Sequence, residues 1–218
     1  VFMLGIEHLG LFVISGLLLN MTPGADTLYI VSQSAARGRR AGVFAALGIG
    51  AGCIVHILAA ALGLSALMMA SSQAFFVVKI IGAAYLVYLG FSMFKSSLRS
   101  APESAPVTAV ESIAASPKRA SEVFWQGFLT NVLNPKVALF FLAFLPHFIA
   151  VDAPNRVLSM LLLGVIFDVN GTLWNILIAV LSAGVVQRFP ALTRFAQWFK
   201  RGVGVLFVFL GGQLALSE

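Results

Sequence analysis

The sequence predicts an all-α polytopic membrane protein: six transmembrane helices in an inverted repeat of three and three, with helices 1 and 4 broken. Three observations carry this expectation. Of the 218 residues, 60% are hydrophobic and only 10% are charged, whereas soluble domains carry about 25% charged residues. The apolar residues fall in stretches of 20 or more, without the alternation of a β-barrel strand. Two polar, proline-containing knots interrupt such stretches about half a chain apart: Asn20-Met21-Thr22-Pro23-Gly24-Ala25-Asp26 and Asn131-Val132-Leu133-Asn134-Pro135-Lys136.

Taken in order, the first span covers 6–36, and these 31 residues contain the first knot. As one helix it would be roughly 46 Å long, against a hydrocarbon core of about 30 Å. Proline and glycine can break a helix in lipid only where protein or a wet cavity satisfies the freed backbone groups. A carboxylate at such a break, here Asp26, therefore marks a site. The second span is 41–67 and the third 74–94, both with glycines spaced for close helix contact (Gly42, Gly48 and Gly52, then Gly82 and Gly90). The fourth, 122–149, contains the second knot; the fifth is 157–185. A short sixth, 198–216, is extended into the interface by Trp198, Phe199 and the stems of Lys200 and Arg201. The Ser-, Ala- and Pro-rich segment 96–121 reads as a flexible cytoplasmic linker. The chain thus divides into a first three-helix repeat (1–95), the linker, and a second repeat (122–218).

The charges assign an orientation. Arg37, Arg39, Arg40, Lys95, Arg99, Lys118, Arg119, Arg188, Arg194, Lys200 and Arg201 all fall on one side, eleven of the 14 lysines and arginines. Arg156 lies on the other side beside Asp152, while Lys79, placed to snorkel, and Lys136 lie within spans. The positive-inside rule makes the basic loops cytoplasmic and both termini periplasmic. The net charge of +6 is accounted for by this topology and gives no reason to expect nucleic acid. No basic n-region precedes the first span, so no cleaved signal peptide is expected. The single Cys53 excludes an intrachain disulfide and a cysteine metal cluster, and its place in an apolar helix suggests packing.

Three pairs of spacings recur in the same order in the two halves. Gly16-x3-Asn20 and Gly127-x3-Asn131 precede the breaks, and Arg40-x7-Gly48 matches Arg156-x7-Gly164. Lys79-x2-Gly82-x7-Gly90 matches Arg201-x2-Gly204-x7-Gly212. Copies with an odd number of spans must lie inverted in the membrane, an architecture of secondary transporters in which broken helices meet near the midplane.

Chemistry-bearing residues gather at the breaks. Thr22-Pro23 and Asn134-Pro135 each place an N-cap residue before a proline at the first helical position. Half-helix N-termini there would favour an anionic ligand group. Asn20, Thr22, Pro23, Gly24, Asp26, Asn131, Asn134, Pro135, Lys136 and Asp168 are the candidate substrate-binding residues. Asp26, Asp168 and His56 are the candidates for carrying a coupling proton. The plainer readings are a structural ion pair of Lys136 with Asp26 or Asp168, a packing histidine at His56, and interhelical hydrogen bonds from Asn20, Asn131, Asn170 and Asn175. No nucleotide loop, metal-ligand spacing or nucleophile elbow occurs, so no cofactor, metal or enzymatic activity is expected. Gly48-x-Gly50-x-Gly52 lies inside an apolar span and is not a dinucleotide fingerprint.

Pro23-Gly24-Ala25-Asp26-Thr27-Leu28, Ala36-Arg37-Gly38-Arg39-Arg40-Ala41-Gly42 and Ala46-Leu47-Gly48-Ile49-Gly50-Ala51-Gly52 resemble the LysE superfamily of amino-acid exporters. The likeness is closest to its homoserine/threonine-resistance (RhtB) branch. Gly127-Phe128-Leu129-Thr130-Asn131, Asn134-Pro135-Lys136 and Phe144-Leu145-Pro146-His147-Phe148 fit the second half. Ala25 departs from the pattern, since many members carry a second proline there. The resemblance implies a six-span bacterial inner-membrane exporter of amino acids and related small metabolites, driven by the proton motive force, and the substrate expected here is a small neutral amino acid or derivative, homoserine- or threonine-like. Its partners would be that substrate, protons and the bilayer, and a homo-oligomer is compatible with the sequence. The alternatives are an exporter of a basic or sulfur-containing amino acid, a passive metabolite channel and, more weakly, an intramembrane enzyme. Polar groups clustered at mid-depth, without a continuous polar stripe, favour alternating access over a channel.

Overall fold

The computed structural model of the protein describes residues 4–98, 119–150 and 152–182, together with 204–205, 208–209 and 211–212. Helices dominate the described residues: α1 (Leu9–Met21), α2 (Ala25–Arg37), α3 (Arg39–Leu58), α4 (Ser65–Ala70), α5 (Ser72–Leu98), α6 (Ala120–Val132), α7 (Pro135–Phe144) and α8 (Arg156–Ser182). A π-helical stretch, Ala59–Leu64, joins α3 to α4, and a 3₁₀ turn, Leu145–Phe148, extends α7.

Two of these elements are long and apolar enough to cross a membrane alone, over Arg39–Gly63 and Arg156–Ser182. Two more spans form if each bent pair is one crossing. The pair α1 and α2 bends by 51°, and α6 with α7 and its 3₁₀ extension by 49°. The expected third span falls on α5, which runs on to Leu98. The expected sixth span lies largely outside the described residues, as do most of the linker, the Lys79 side chain, Arg188, Arg194, Lys200 and Arg201. The described part of the last segment packs on α5, where an atom added at Gly90 would approach the Gly204 carbonyl and Val208.

Both breaks follow from local chemistry. α1 ends because Pro23 has no N–H and its ring disfavours helical geometry at Thr22, which sits extended at φ −73°, ψ 116°. Thr22 closes the helix end: its N–H donates to the Leu18 and Leu19 carbonyls, and its hydroxyl to Leu18 O at 2.8 Å. It therefore caps the carbonyl end of α1 rather than the start of α2. That start has Gly24 as its N-cap, with no side-chain cap. The second break matches its expectation: Asn134 is the N-cap, its Oδ1 accepts from Lys136 N at 3.0 Å, and Pro135 is the first helical residue.

Packing places the breaks between two cores. One is aromatic, with Phe12, Phe140, Phe141, Phe144, Phe148 and Phe167 buried against Leu19, Leu145 and Met160. The Phe140 and Phe167 rings stack with centroids 4.9 Å apart. The second core is smaller, formed by Ile30, Ala45, Ala46, Ile49, Val123 and Ala179. It lies where α2, α3 and α6 meet the end of α8. α3 and α6 approach backbone to backbone, which only small residues allow. A β-carbon at Gly52 would lie 2.6 Å from Phe128 O, and one at Gly127 2.6 Å from Ala45 O. At the aromatic end, residues 5–7 lie beside 148–150: Glu7 N–H donates to Phe148 O at 2.9 Å and Ala150 N–H to Gly5 O at 2.8 Å.

Candidate functional site

The site is built where the two breaks meet. Asp26, in the first turn of α2, reaches across to the second break. Its Oδ2 accepts from Asn131 Nδ2 and Asn134 Nδ2, each at 3.0 Å. Asn131 is in the last turn of α6 and Asn134 caps α7, so one carboxylate oxygen ties both halves of the fourth span to the first. Lys136, in the first turn of α7, reaches back the other way. Its Nζ donates to Leu19 O at 2.7 Å and Thr22 O at 2.9 Å, the carbonyl end of α1. The negative end of a helix dipole is a favourable seat for an ammonium. Lys136 thus engages backbone carbonyls and not a carboxylate.

The end of α6 receives a basic side chain too. His56 Nε2 lies 2.9 Å from the Asn131 carbonyl, to which it can only donate, and its ring stacks on Phe141. Both half-helices that run into the breaks are therefore capped at their carbonyl ends by a basic residue from another element.

Leu19, Asn20, Thr22, Gly24, Asp26, Thr27, Asn134, Lys136, Val137, Phe167 and Asn175 line a cleft of about 20 Å³. That is room for one or two waters and not for an amino acid. Three buried polar atoms at the breaks have no partner: Asp26 Oδ1, Asn20 Nδ2 and Asn131 Oδ1. Buried polar groups are nearly always satisfied, so these atoms stand out, and two of them, on Asp26 and Asn20, belong to residues that line the cleft.

Asp168 is not in this cleft. It lies in the seam between α8 and α3, where Thr172 Oγ1 donates to its Oδ1 at 3.4 Å. A β-carbon added at Gly50 would sit 3.5 Å from the same oxygen. Among the described residues no cluster of three metal-ligating side chains occurs. Sequence reasoning placed Asn20, Thr22, Gly24, Asp26, Asn134 and Lys136 where they line the cleft, with Pro23 and Pro135 shaping its two breaks. It missed Phe167 and read Asn175 only as an interhelical hydrogen-bonding residue. The signal for them is a stripe at i, i+4 and i+8, Phe167-Gly171-Asn175, whose glycine lets Asn20 approach: a β-carbon there would be 2.9 Å from Asn20 Nδ2.

Comparison with known proteins points the same way as the geometry. The family described as LysE type translocator matches residues 17–218. An uncharacterized membrane protein of Pseudomonas aeruginosa is 32% identical over 216 residues, covering 98% of this chain and 97% of that one. A second uncharacterized membrane protein, from Bacillus subtilis, is 32% identical over 197 residues, 89% of this chain and 92% of its own. The leucine efflux protein of Salmonella typhimurium is 26% identical over 214 residues, 98% and 97% of the two chains. No solved structure matches.

Proposed function

The chain belongs to the LysE type translocator family, and from that premise we propose that it exports a small neutral amino acid across the bacterial inner membrane. The proton motive force drives the export. Both termini face the periplasm, and the two three-helix units lie inverted, so that their breaks form one site at mid-depth. The observation that carries this reading is the reciprocal bonding of the breaks around a cleft with unpartnered Asp26 Oδ1 and Asn20 Nδ2. A zwitterion brings a cationic and an anionic end one carbon apart. The free Asp26 oxygen suits the ammonium, and the Asn20 amide, in the positive field of Lys136, suits the carboxylate.

The cleft walls Leu19, Val137 and Phe167 suit an aliphatic side chain. A leucine efflux protein among the relatives makes leucine the first substrate to try. With about 20 Å³ free, the structure corresponds to a closed state, and loading requires one side to part.

The test is efflux from proteoliposomes loaded with labelled leucine, threonine, homoserine, lysine or methionine, with and without an imposed pH gradient. Gradient-stimulated efflux of a neutral amino acid is expected. Efflux that ignores the gradient while following the substrate's own would identify a passive channel, and preference for lysine or methionine would move the substrate class.

A further inference from the structure

Among the described residues, one feature of the break is not needed for holding an amino acid. The last carbonyls of α1 are gathered around a single cation, the Lys136 ammonium, at 2.7 Å from Leu19 O and 2.9 Å from Thr22 O. Unwound carbonyls and half-helix C-terminal ends are the groups with which broken-helix transporters coordinate a small free cation. Asp26, with an oxygen that has no hydrogen-bond partner, lines the same cleft as Leu19, Thr22 and Lys136, as does Asn20. Around one cleft the arrangement offers the components of a monovalent-cation site: two main-chain carbonyls at the negative end of a helix, the Asp26 carboxylate and the Asn20 side chain, whose amide oxygen is its acceptor. In this chain the occupant is covalently attached.

We propose that the carbonyl end of α1 is a monovalent-cation site whose resident cation is the Lys136 ammonium, so that removing this charge turns it into a site for free sodium. The tethered charge offsets Asp26 and the carbonyl dipoles at every stage. The wild-type protein therefore needs no alkali cation for integrity. A neutral residue at position 136 leaves the Asp26 carboxylate and the α1 carbonyls without a counter-charge in a largely buried site, a situation that favours taking up a cation from solution.

Sodium is the probe and thermal stability the readout, so failure here is distinguishable from failure of the export reading. Purified wild type, Lys136→Gln and Lys136→Ala are melted in sodium chloride and in choline chloride at equal ionic strength. The Gln variant retains an amide that can donate to the same carbonyls, which secures a folded protein lacking only the charge. Wild type should melt alike in both salts. Both variants should melt lower in choline and regain about 3–5 °C in sodium at about ten times its Kd. Propylammonium chloride, which replaces the severed end of the side chain, should raise Lys136→Ala more than Lys136→Gln. Adding Asp26→Asn to Lys136→Gln should abolish the sodium effect. Equal melting of the Gln variant in sodium and choline would overturn the proposal and leave Lys136 a hydrogen-bonding cap. So would a sodium effect of the same size in wild type.

Discussion

Asp26 and Lys136, the charged side chains that follow the two helix breaks, are each bonded to the opposite break and not to one another. Asp26 accepts from Asn131 and Asn134 of the fourth span, and Lys136 donates to the Leu19 and Thr22 carbonyls of the first. The exchange solves the problem that a broken helix raises in lipid, where freed polar groups have no water to turn to. It also means that the two spans cannot separate at the breaks without exposing a carboxylate, two amides and two carbonyls together. Movement during transport is therefore expected in the half-helices on either side, with the crossing itself conserved.

Replacing either aspartate by its isosteric amide separates their roles. Asp26→Asn removes a charged acceptor from two buried amides, an interaction of about 1.5–3 kcal/mol, and should lower export about tenfold or more. Asp168→Asn changes only the acceptor of Thr172, outside the cleft, so leucine affinity should hold while pH dependence is the property to follow. Export at several external pH values checks both. If both variants keep full gradient-driven export, the coupling proton is carried elsewhere, and His56 is next.

Much of this was legible in the sequence, for reasons that differ by residue. The two breaks announce themselves because proline removes a donor wherever it stands, and Asn134-Pro135 could be read as a helix start from residue types alone. Thr22 could not. A threonine before proline can bond forward to a new helix or back to the old one, and here it bonds back to Leu18. Asp168 was grouped with the residues of the breaks, and it lies on a different stripe of α8 from those that line the cleft. Position along a helix gives depth, whereas rotation about its axis is fixed by neighbours. Phe167, Gly171 and Asn175 turn toward the first break, which leaves Asp168 and Thr172 facing α3. The crossed bonds of Asp26 and Lys136 depend on how the two spans meet, which no local pattern encodes.

The α3–α6 seam should be intolerant of bulk. At Gly52 a methyl group would meet Phe128 O at 2.6 Å and the Asn131 side chain at 2.9 Å, whereas nothing lies within 4 Å of a methyl at Gly10. Gly52→Ala is expected to destabilise by about 1–3 kcal/mol through overpacking, with export reduced because Asn131 is displaced from Asp26. Gly10→Ala should be neutral. Unfolding of both variants in detergent, read against wild type, distinguishes them.

The orientation can be tested directly. A single cysteine at Ser104, in a Cys53→Ser background, should resist a membrane-impermeant maleimide in whole cells and react after permeabilisation. Cysteines near either terminus should react in whole cells. Labelling of Ser104 from outside would reverse the topology and with it the inversion of the two units.

Closure of the face opposite the aromatic core rests on the smaller of the two apolar clusters, and Tyr29 adds a hydrogen bond across it. Its hydroxyl donates to Val123 O at 2.9 Å and lies 3.3 Å from Gln126 Oε1, joining α2 to α6 just beyond the breaks. Ser34, farther along α2, donates to Ala179 O at 3.0 Å. The other face is held by six buried phenylalanines and by the pairing of residues 5–7 with 148–150. The face with fewer apolar contacts should open more readily, and under the proposed orientation that face is cytoplasmic, where an exporter loads. Tyr29→Phe removes one hydrogen bond, about 0.5–1.5 kcal/mol, and leaves the ring packing in place. A cysteine at Thr27, which lines the cleft, should then react several-fold faster with a reagent added to inside-out vesicles, since 1.4 kcal/mol is about tenfold in an opening equilibrium. The same cysteine in right-side-out vesicles should be unaffected. Equal acceleration from both sides would mean that Tyr29 stabilises the fold as a whole, and the cytoplasmic latch would be wrong.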